Sequence, residues 1–440
     1  MYETMLVVSV LVWIAAGALY LRQPNASVFH PATYYLLFHG LVFVVRPIFA
    51  WYFGFENMYS EIGFRPSAWN KVQVLICTNI GLITFLAVIL ALTRTPVAIH
   101  SQDDRGIARR TLLHRFWIVA LPLGALAVWS LYWRWDAIAA AAPIATMDPL
   151  TGEQRLVGVT GYFYSAAGLS APVGAMIAYL GRFRWWSLVP LAVFAVLQLG
   201  TGGRGYFVAM AIMAALLFMY DRRLKWPSVP VIALALALVP VFHVIKTDRG
   251  KFVREMLRPN VEDKMWQQTF DDKPLETMDL ASMEFFEYLV WAIPERTGTY
   301  DYFVNNLELV TGPVPRALWP DKPVGPPIKR FNLYEGTRPI AITHSLPGVG
   351  WYNAGYVGVV LWCALFAALY AAAFRAFARS ARGPMAVMTY VMFLATVTLA
   401  FRDGTLQTLG RQLVVYLPPV AMLALLERYR SAKRAAVQAG

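Results

Sequence analysis

Apolar stretches long enough to cross a bilayer recur from one end of this chain to the other, and no other feature limits its fold as strongly. A hydrocarbon core about 30 Å thick takes roughly 20 helical residues to cross. On that criterion helices are expected near residues 5–21, 33–52, 72–92, 116–132, 158–180, 185–199, 205–220, 229–245, 352–373, 385–401 and 412–427. Prolines inside these runs (Pro47, Pro122, Pro172, Pro190, Pro240, Pro418, Pro419) are tolerable, because neighbouring helices can satisfy the freed carbonyls. Composition agrees: 58% of residues are hydrophobic and 15% charged, against roughly half and a quarter in a soluble domain. The expected class is an all-α polytopic integral membrane protein of about eleven transmembrane helices.

The chain carries a net charge of +13, but its cations do not form a nucleic-acid surface. They gather in short loops between apolar runs: "TRTPVAIHSQDDRGIARRTLLHR", "GRFR", "DRRLK", "FRAFARSAR" and the tail "ERYRSAKR". The positive-inside rule puts these in the cytoplasm. The C-terminus is then expected inside and the N-terminus outside. "MYETMLVVSVLVWIAAGALYLR" has no basic segment before its apolar run, so it reads as an uncleaved first span. Cys77 and Cys363 lie inside apolar runs, with neither zinc spacing nor a disulfide framework, and read as small buried hydrophobes.

Residues from about Lys246 to Gly350 hold no spanning run. This divides the chain into helices 1–8 (residues 1–245), a large outer loop (246–350), and helices 9–11 with a tail (351–440). The middle of the loop reads as two amphipathic helices broken at Pro294. "TGPVPRALWPDKPVGPPIKR" is too rich in proline for helix or sheet and reads as an ordered extended segment.

"LQLGTGGRGYF" contains Gly200, Gly202 and Gly205, which match the dinucleotide pattern G-x-G-x-x-G by letter. The context excludes that reading. Both flanks are apolar helices, and the nearest acid, Asp221, lies one span away, roughly 22 Å at 1.5 Å per residue. The glycines instead allow a tight reversal between spans. Arg204 begins the next helix, where free N–H groups and the helix dipole favour an anion; the alternative is that it snorkels to headgroups.

Further candidates share the outer side. Arg46 lies inside a span, where an ionisable group is costly; it too can snorkel, and His39 is expected on the same helical face. "FRDGTLQTLGRQ" carries Arg402, Asp403 and Arg411, which read equally well as an ion pair. His344 is the one histidine of the outer loops and can act as a general base near neutral pH; a structural role stays open. Glu284, Glu287, Glu295 and Asp301 are carboxylate rivals on the same loop, and Arg316 and Lys322 are further loop cations near the substrate. No D-x-D, H-E-x-x-H or nucleophile elbow occurs, so no metal ligand set is expected.

Three pieces carry a family resemblance: "GTGGRG" between two spans, "GPVPRALWPDKP" in the long loop, and "THSLPGVGWYNAGYVGVV" running into a late helix. With the hydropathy profile, these resemble the Wzy-type O-antigen, or oligosaccharide repeat-unit, polymerases. The related O-antigen ligases share the architecture and also place a histidine near the end of a large periplasmic loop. The resemblance implies a GT-C-like inner-membrane glycosyltransferase with its active site facing the periplasm. It needs no cofactor and no metal. Donor and acceptor are glycans on undecaprenyl pyrophosphate, and a chain-length regulator is a candidate partner. The arginines Arg46, Arg204, Arg402 and Arg411 would face the lipid pyrophosphate and His344 would be the base of an inverting transfer. The rival functions are an O-antigen ligase, a secondary transporter or flippase, and a polytopic acyltransferase.

Overall fold

The computed structural model describes the whole chain except residues 98, 100–105, 141–144, 148–153, 157–160, 203–204, 234–249, 259–272, 274, 277–279, 315–317, 324, 335–342 and 440. Among the described residues, seven helices are long and apolar enough to cross a membrane: α1 (Tyr2–Leu21), α2 (Pro31–Phe53), α3 (Ala68–Leu92), α4 (Gly106–Ala139), α5 (Gly161–Leu180), α9 (Leu346–Arg379) and α10 (Pro384–Asp403). Two shorter apolar helices, α6 (Trp185–Leu199) and α7 (Gly205–Asp221), form a hairpin between them. The last expected span is a broken pair, α11 (Leu406–Tyr416) and α12 (Pro418–Ala439), bent by 47° where Pro418 interrupts the hydrogen-bond ladder. If that pair counts as one span, the described spans number eight, not the eleven expected. Most of the expected helix at 229–245 lies outside the described residues.

The outward faces identify the solvent as lipid. On α1 only Leu6, Ser9 and Tyr20 are buried, while Val7, Leu11 and Ile14 are more than half exposed. Such a surface is stable only where the surroundings are themselves apolar. Inside the bundle α3 packs lengthwise on α9, with Gly81 against the Cys363 thiol and Pro347. Both cysteines are free and buried.

The two ends of the bundle differ. At one end the basic connections meet: Arg109 pairs with Asp221, Arg115 with Glu427, and Tyr220 donates a hydrogen bond to the Arg382 carbonyl. At the other end lie the described parts of the 53–68, 139–161 and 200–205 connections and of the long 250–345 segment, with the α10–α11 turn. These are called below the arginine-rich end and the loop-bearing end.

Three local departures from the sequence expectation matter for the site. First, α2 contains a π-helical turn at Gly40–Val45 between His39 and Arg46. The two side chains do not meet: His39 packs against Tyr35 and Phe43 with both ring nitrogens unpartnered, while Arg46 pairs elsewhere. Second, the expected pair of amphipathic helices around Pro294 is one helix, α8 (Ser282–Ala292), buried on nearly all sides. After Pro294 the chain makes only short turns at Val304–Leu307 and Glu308–Thr311. Third, α9 begins as a short helix that kinks at Ala354 and Gly355. Gly350 and Gly358 touch across this kink; a Cβ on Gly358 would lie 2.0 Å from the Gly350 carbonyl oxygen. Gly355, at φ 59°, takes the left-handed backbone the kink needs. The glycines of "GVGWYNAGYVG" therefore fold the start of α9 back onto its own body. A two-stranded antiparallel ladder, Ala145–Met147 with Gln154–Leu156, lies in the 139–161 connection and was not expected.

Candidate active site at the loop-bearing end

The glycine turn comes first. Leu199 ends α6, Gly202 has φ 66°, and α7 begins at Gly205. The turn is held from outside, since the Arg254 guanidinium donates to the Gly200 carbonyl at 2.7 Å. Asp221 is at the opposite end of α7, paired with Arg109, and so does not join these glycines as the acid of a dinucleotide site. Arg204 itself lies outside the described residues. Its neighbour Gly205 packs on Leu399 of α10, one helical turn before Arg402 and Asp403.

His344 stands immediately before α9 and is held in place by its neighbours. Ser345 donates its N–H to the Arg402 carbonyl at 2.9 Å, and Thr343 shares a hydrogen bond with Ser282 at 3.1 Å. Gly404, at φ 74°, brings its backbone against the Ser345 carbonyl so closely that any Cβ would clash at 2.2 Å. Ser345 has φ 64°, a region a non-glycine residue rarely enters, and its hydroxyl is buried without a partner. Strain of this kind concentrates at functional sites. The His344 ring packs edge-on against Tyr352 at 5.9 Å. No hydrogen bond to either ring nitrogen is found among the described residues. Burial lowers its pKa from 6.5 to about 4, with the Asp403 charge opposing. The imidazole is therefore neutral at pH 7 and free to accept a proton.

The remaining expected residues divide into two groups. Arg402 pairs with Asp403 at 2.9 Å, as the alternative reading allowed, and Thr408 donates to the other Asp403 oxygen at 3.1 Å. Arg411 is largely exposed and touches Glu308 at 3.3 Å. Both arginines thus have their charge partly met, and Arg402 is tied to the residue after His344 through its carbonyl. Asp301 is buried, accepts the Asn305 N–H at 2.9 Å, and has its pKa raised by burial; it braces the loop against α9. Lys322 donates to the Gly312 and Val314 carbonyls at 2.6 and 3.0 Å. Arg316 lies outside the described residues.

Arg46 does not stand as a free cation. It is fully buried, and its Nε and Nη2 donate to both oxygens of Glu284 at 2.7–3.1 Å. It also donates to the Leu275 carbonyl. Its charge is largely cancelled by a carboxylate the sequence placed only as a rival base. Arg46, Glu284 and Glu287 line a separate cavity of about 350 Å³, with Tyr59, Lys71 and Trp51. Here Tyr59 donates to Glu287 at 2.6 Å. Burial pushes the Glu287 carboxyl up to about 7, against the opposing pull of Lys71 and the Tyr59 hydrogen bond.

Arg134 was missed from sequence. It sits near the loop-bearing end of α4 and is 8% exposed, yet it has neither an ion pair nor a hydrogen bond among the described residues. Its guanidinium lies 3.8 Å over the Tyr164 ring and 6.0 Å from Tyr206. Tyr206 feels the charges of both Arg134 and Arg411. Packing explains this convergence: Gly168 lies under the Tyr206 ring and Val415, and Val415 is one helical turn from Arg411. A cation with only ring faces for partners keeps its N–H donors available to an anion. The fragment "WSLYWRWD" reads as an ordinary interfacial belt, and nothing in it signals an unpaired arginine.

Chemically, the loop-bearing end holds a neutral imidazole, a carboxylate beside it, and at least three arginines, one of them buried and without an ion pair among the described residues. Among the described residues no group of three His, Cys, Asp or Glu side chains converges as a metal cage would require. No protein-family model matches the chain, and no curated protein or solved structure is similar to it.

Proposed function

We propose that this protein is an inverting membrane glycosyltransferase that joins undecaprenyl-pyrophosphate-linked repeat units into a cell-surface polysaccharide, acting at the periplasmic end of a GT-C-like bundle of eleven spans. The observation that carries the reading is the presence, at one end of a multi-span bundle, of a neutral base, His344, and a buried cation, Arg134, that has no ion pair among the described residues. The basic connections cluster at the other end, which the positive-inside rule assigns to the cytoplasm.

In the proposed reaction an acceptor sugar hydroxyl attacks the anomeric carbon of the donor glycan. The new C–O bond forms as the bond to the pyrophosphate oxygen breaks, and the electron pair leaves with the phosphate. His344 takes the hydroxyl proton and later returns it to water. Attack opposite the leaving group inverts the anomeric centre. Arg134, Arg204, Arg402 and Arg411 stabilise the charge that grows on the pyrophosphate; in a semi-dry site such donors act far more strongly than in water. The cavity at Glu287, with Trp51 and Tyr59 on its wall, is a candidate subsite for the glycan beyond the reacting sugar.

Arg134→Gln is expected to lower polymerisation by about 10²–10³-fold, the usual cost of removing one donor aimed at developing charge. Arg134→Lys should recover part of that, since it restores charge without the planar fork. The measurement is the ladder of chain lengths formed by purified protein from a lipid-linked repeat unit. Full-length ladders from the glutamine variant would remove Arg134 from the site. A single transfer to another acceptor, with no ladder from the wild type, would replace the polymerase by a ligase.

A further inference from the structure

The arginine-rich end, opposite the site above, carries a second cavity, of about 260 Å³. Arg109, Arg110, Arg182 and Arg184 line it, and Trp186 closes one wall with Leu113 and Leu180. Its position follows from helix geometry: Arg109 and Arg134 lie on one helix, 25 residues apart, or about 37 Å.

Among the described residues the charges of this cavity are not balanced. Arg109 is buried, pairs with Asp221 and stacks on the Tyr179 ring at 4.3 Å. Arg110, Arg182 and Arg184 have no ion pair among the described residues. Asp221 is the one carboxylate that reaches the cluster through a described ion pair, and Arg109 occupies it.

The turn that presents two of these cations is rigidly built. Arg182 and Phe183 both take left-handed backbone, at φ 59° and 51°. Phe183 N–H donates to the Ala178 carbonyl at 2.8 Å, and the Phe183 ring packs edge-on against Phe218 at 5.3 Å. Ser187 returns hydrogen bonds from its N–H and hydroxyl to the Arg184 carbonyl, at 2.9 and 2.8 Å. Two strained residues held by this many contacts fix where the arginines leave the backbone, and both side chains stay exposed at the mouth of the cavity. Trp185, 80% exposed, sits beside the cavity as an aromatic interfacial anchor and puts it at the level of lipid headgroups.

We propose that this cavity is a binding site for an anionic phospholipid carrying two phosphates on one headgroup, of the cardiolipin type. Three uncommitted guanidiniums call for more than one negative charge. The apolar wall of Leu113, Leu180 and Trp186 suits a ligand whose phosphates continue into acyl chains. Basic pockets between transmembrane helices at the cytoplasmic boundary suit such headgroups on general electrostatic grounds. The site stands apart from the catalytic proposal and does not depend on it.

The test is a lipid titration of the full-length purified protein by native mass spectrometry, using cardiolipin, phosphatidylglycerol, phosphatidylcholine and inorganic pyrophosphate as probes. Cardiolipin is expected to bind in preference to the other three. Arg182→Gln/Arg184→Gln should weaken it by about thirtyfold, and Arg110→Gln, on a different helix, by about fivefold, each arginine near a lipid phosphate contributing on the order of 1 kcal/mol. Arg428→Gln/Arg430→Gln, which removes equal charge from the tail, should leave the affinity unchanged. If the turn variant does not fold, the Arg110 variant decides the question. Equal cardiolipin binding by wild type and cavity variants overturns the proposal, as does equal loss in the tail variant. Pyrophosphate binding that the cavity variants abolish overturns the lipid assignment in favour of a soluble anion.

Discussion

Alanine in place of Glu284 is expected to cost about 3–5 kcal/mol of stability, the usual penalty for stranding one member of a buried ion pair. Arg46 is 0% and Glu284 1% exposed, and two guanidinium donors reach the two carboxylate oxygens. The partners are 238 residues apart in sequence. Their contact ties α2 to α8 and so fixes the long loop onto the bundle. Without Glu284, Arg46 keeps the Leu275 carbonyl, the Phe55 ring 5.3 Å away and the more distant Glu287 to meet a full charge. Arg46→Met should cost a similar amount by leaving a buried carboxylate. The double variant Arg46→Met/Glu284→Leu should recover most of the loss, because well-packed apolar side chains often replace a buried pair at little cost. Thermal unfolding in detergent checks all three. Single variants that melt within a degree of wild type would show the pair to be structurally idle.

His344→Ala is expected to lower the rate by about 10²–10⁴-fold if His344 is the general base of the proposed transfer. The loss should appear in kcat with KM little changed, since a base acts mainly in the transition state. The pH profile offers an independent readout. Burial holds the folded pKa near 4, so the acid limb of the rate profile should fall near pH 4 rather than 6.5. Asp403→Asn should move that limb lower still, because the Asp403 charge is what raises this pKa. Stability follows the same sign. A histidine whose folded pKa is depressed contributes stability that is present above pH 6.5 and is lost as pH falls through 4. His344→Gln should flatten that part of the stability profile. Wild-type rates with an unchanged acid limb in His344→Gln would pass the role of base to a carboxylate, with Glu287, titrating near 7, first in line.

The spans were legible because bilayer crossing is a local requirement: a run of apolar residues satisfies it whatever the rest of the chain does. The short pair α6 and α7 and the broken pair α11 and α12 were read as simple spans because hydropathy reports greasiness and not straightness. The buried helix α8 was read as amphipathic for a related reason. Glu284 and Glu287 gave it a polar face, but Arg46 and Tyr59 meet those carboxylates inside the fold.

The candidate site divides along the same line. His344, Arg402 and Arg411 stand out in sequence because each is a charged or titratable residue beside a turn in an apolar chain. Arg46 and Arg134 look alike in sequence, each a lone arginine among aromatics and aliphatics, Arg46 within an expected span and Arg134 just past the end of one. Only the tertiary structure separates them. Arg46 meets a carboxylate from the far side of the chain and becomes a structural pair, while Arg134 meets two ring faces and keeps its donors. What the amino-acid order determined alone was the class of solvent, the rough placement of the apolar helices, and which connections are basic, since each depends on neighbours in the chain. Which charges are cancelled and which stay available depends on contacts far apart in sequence, and that difference separates a structural arginine from one free to bind an anion.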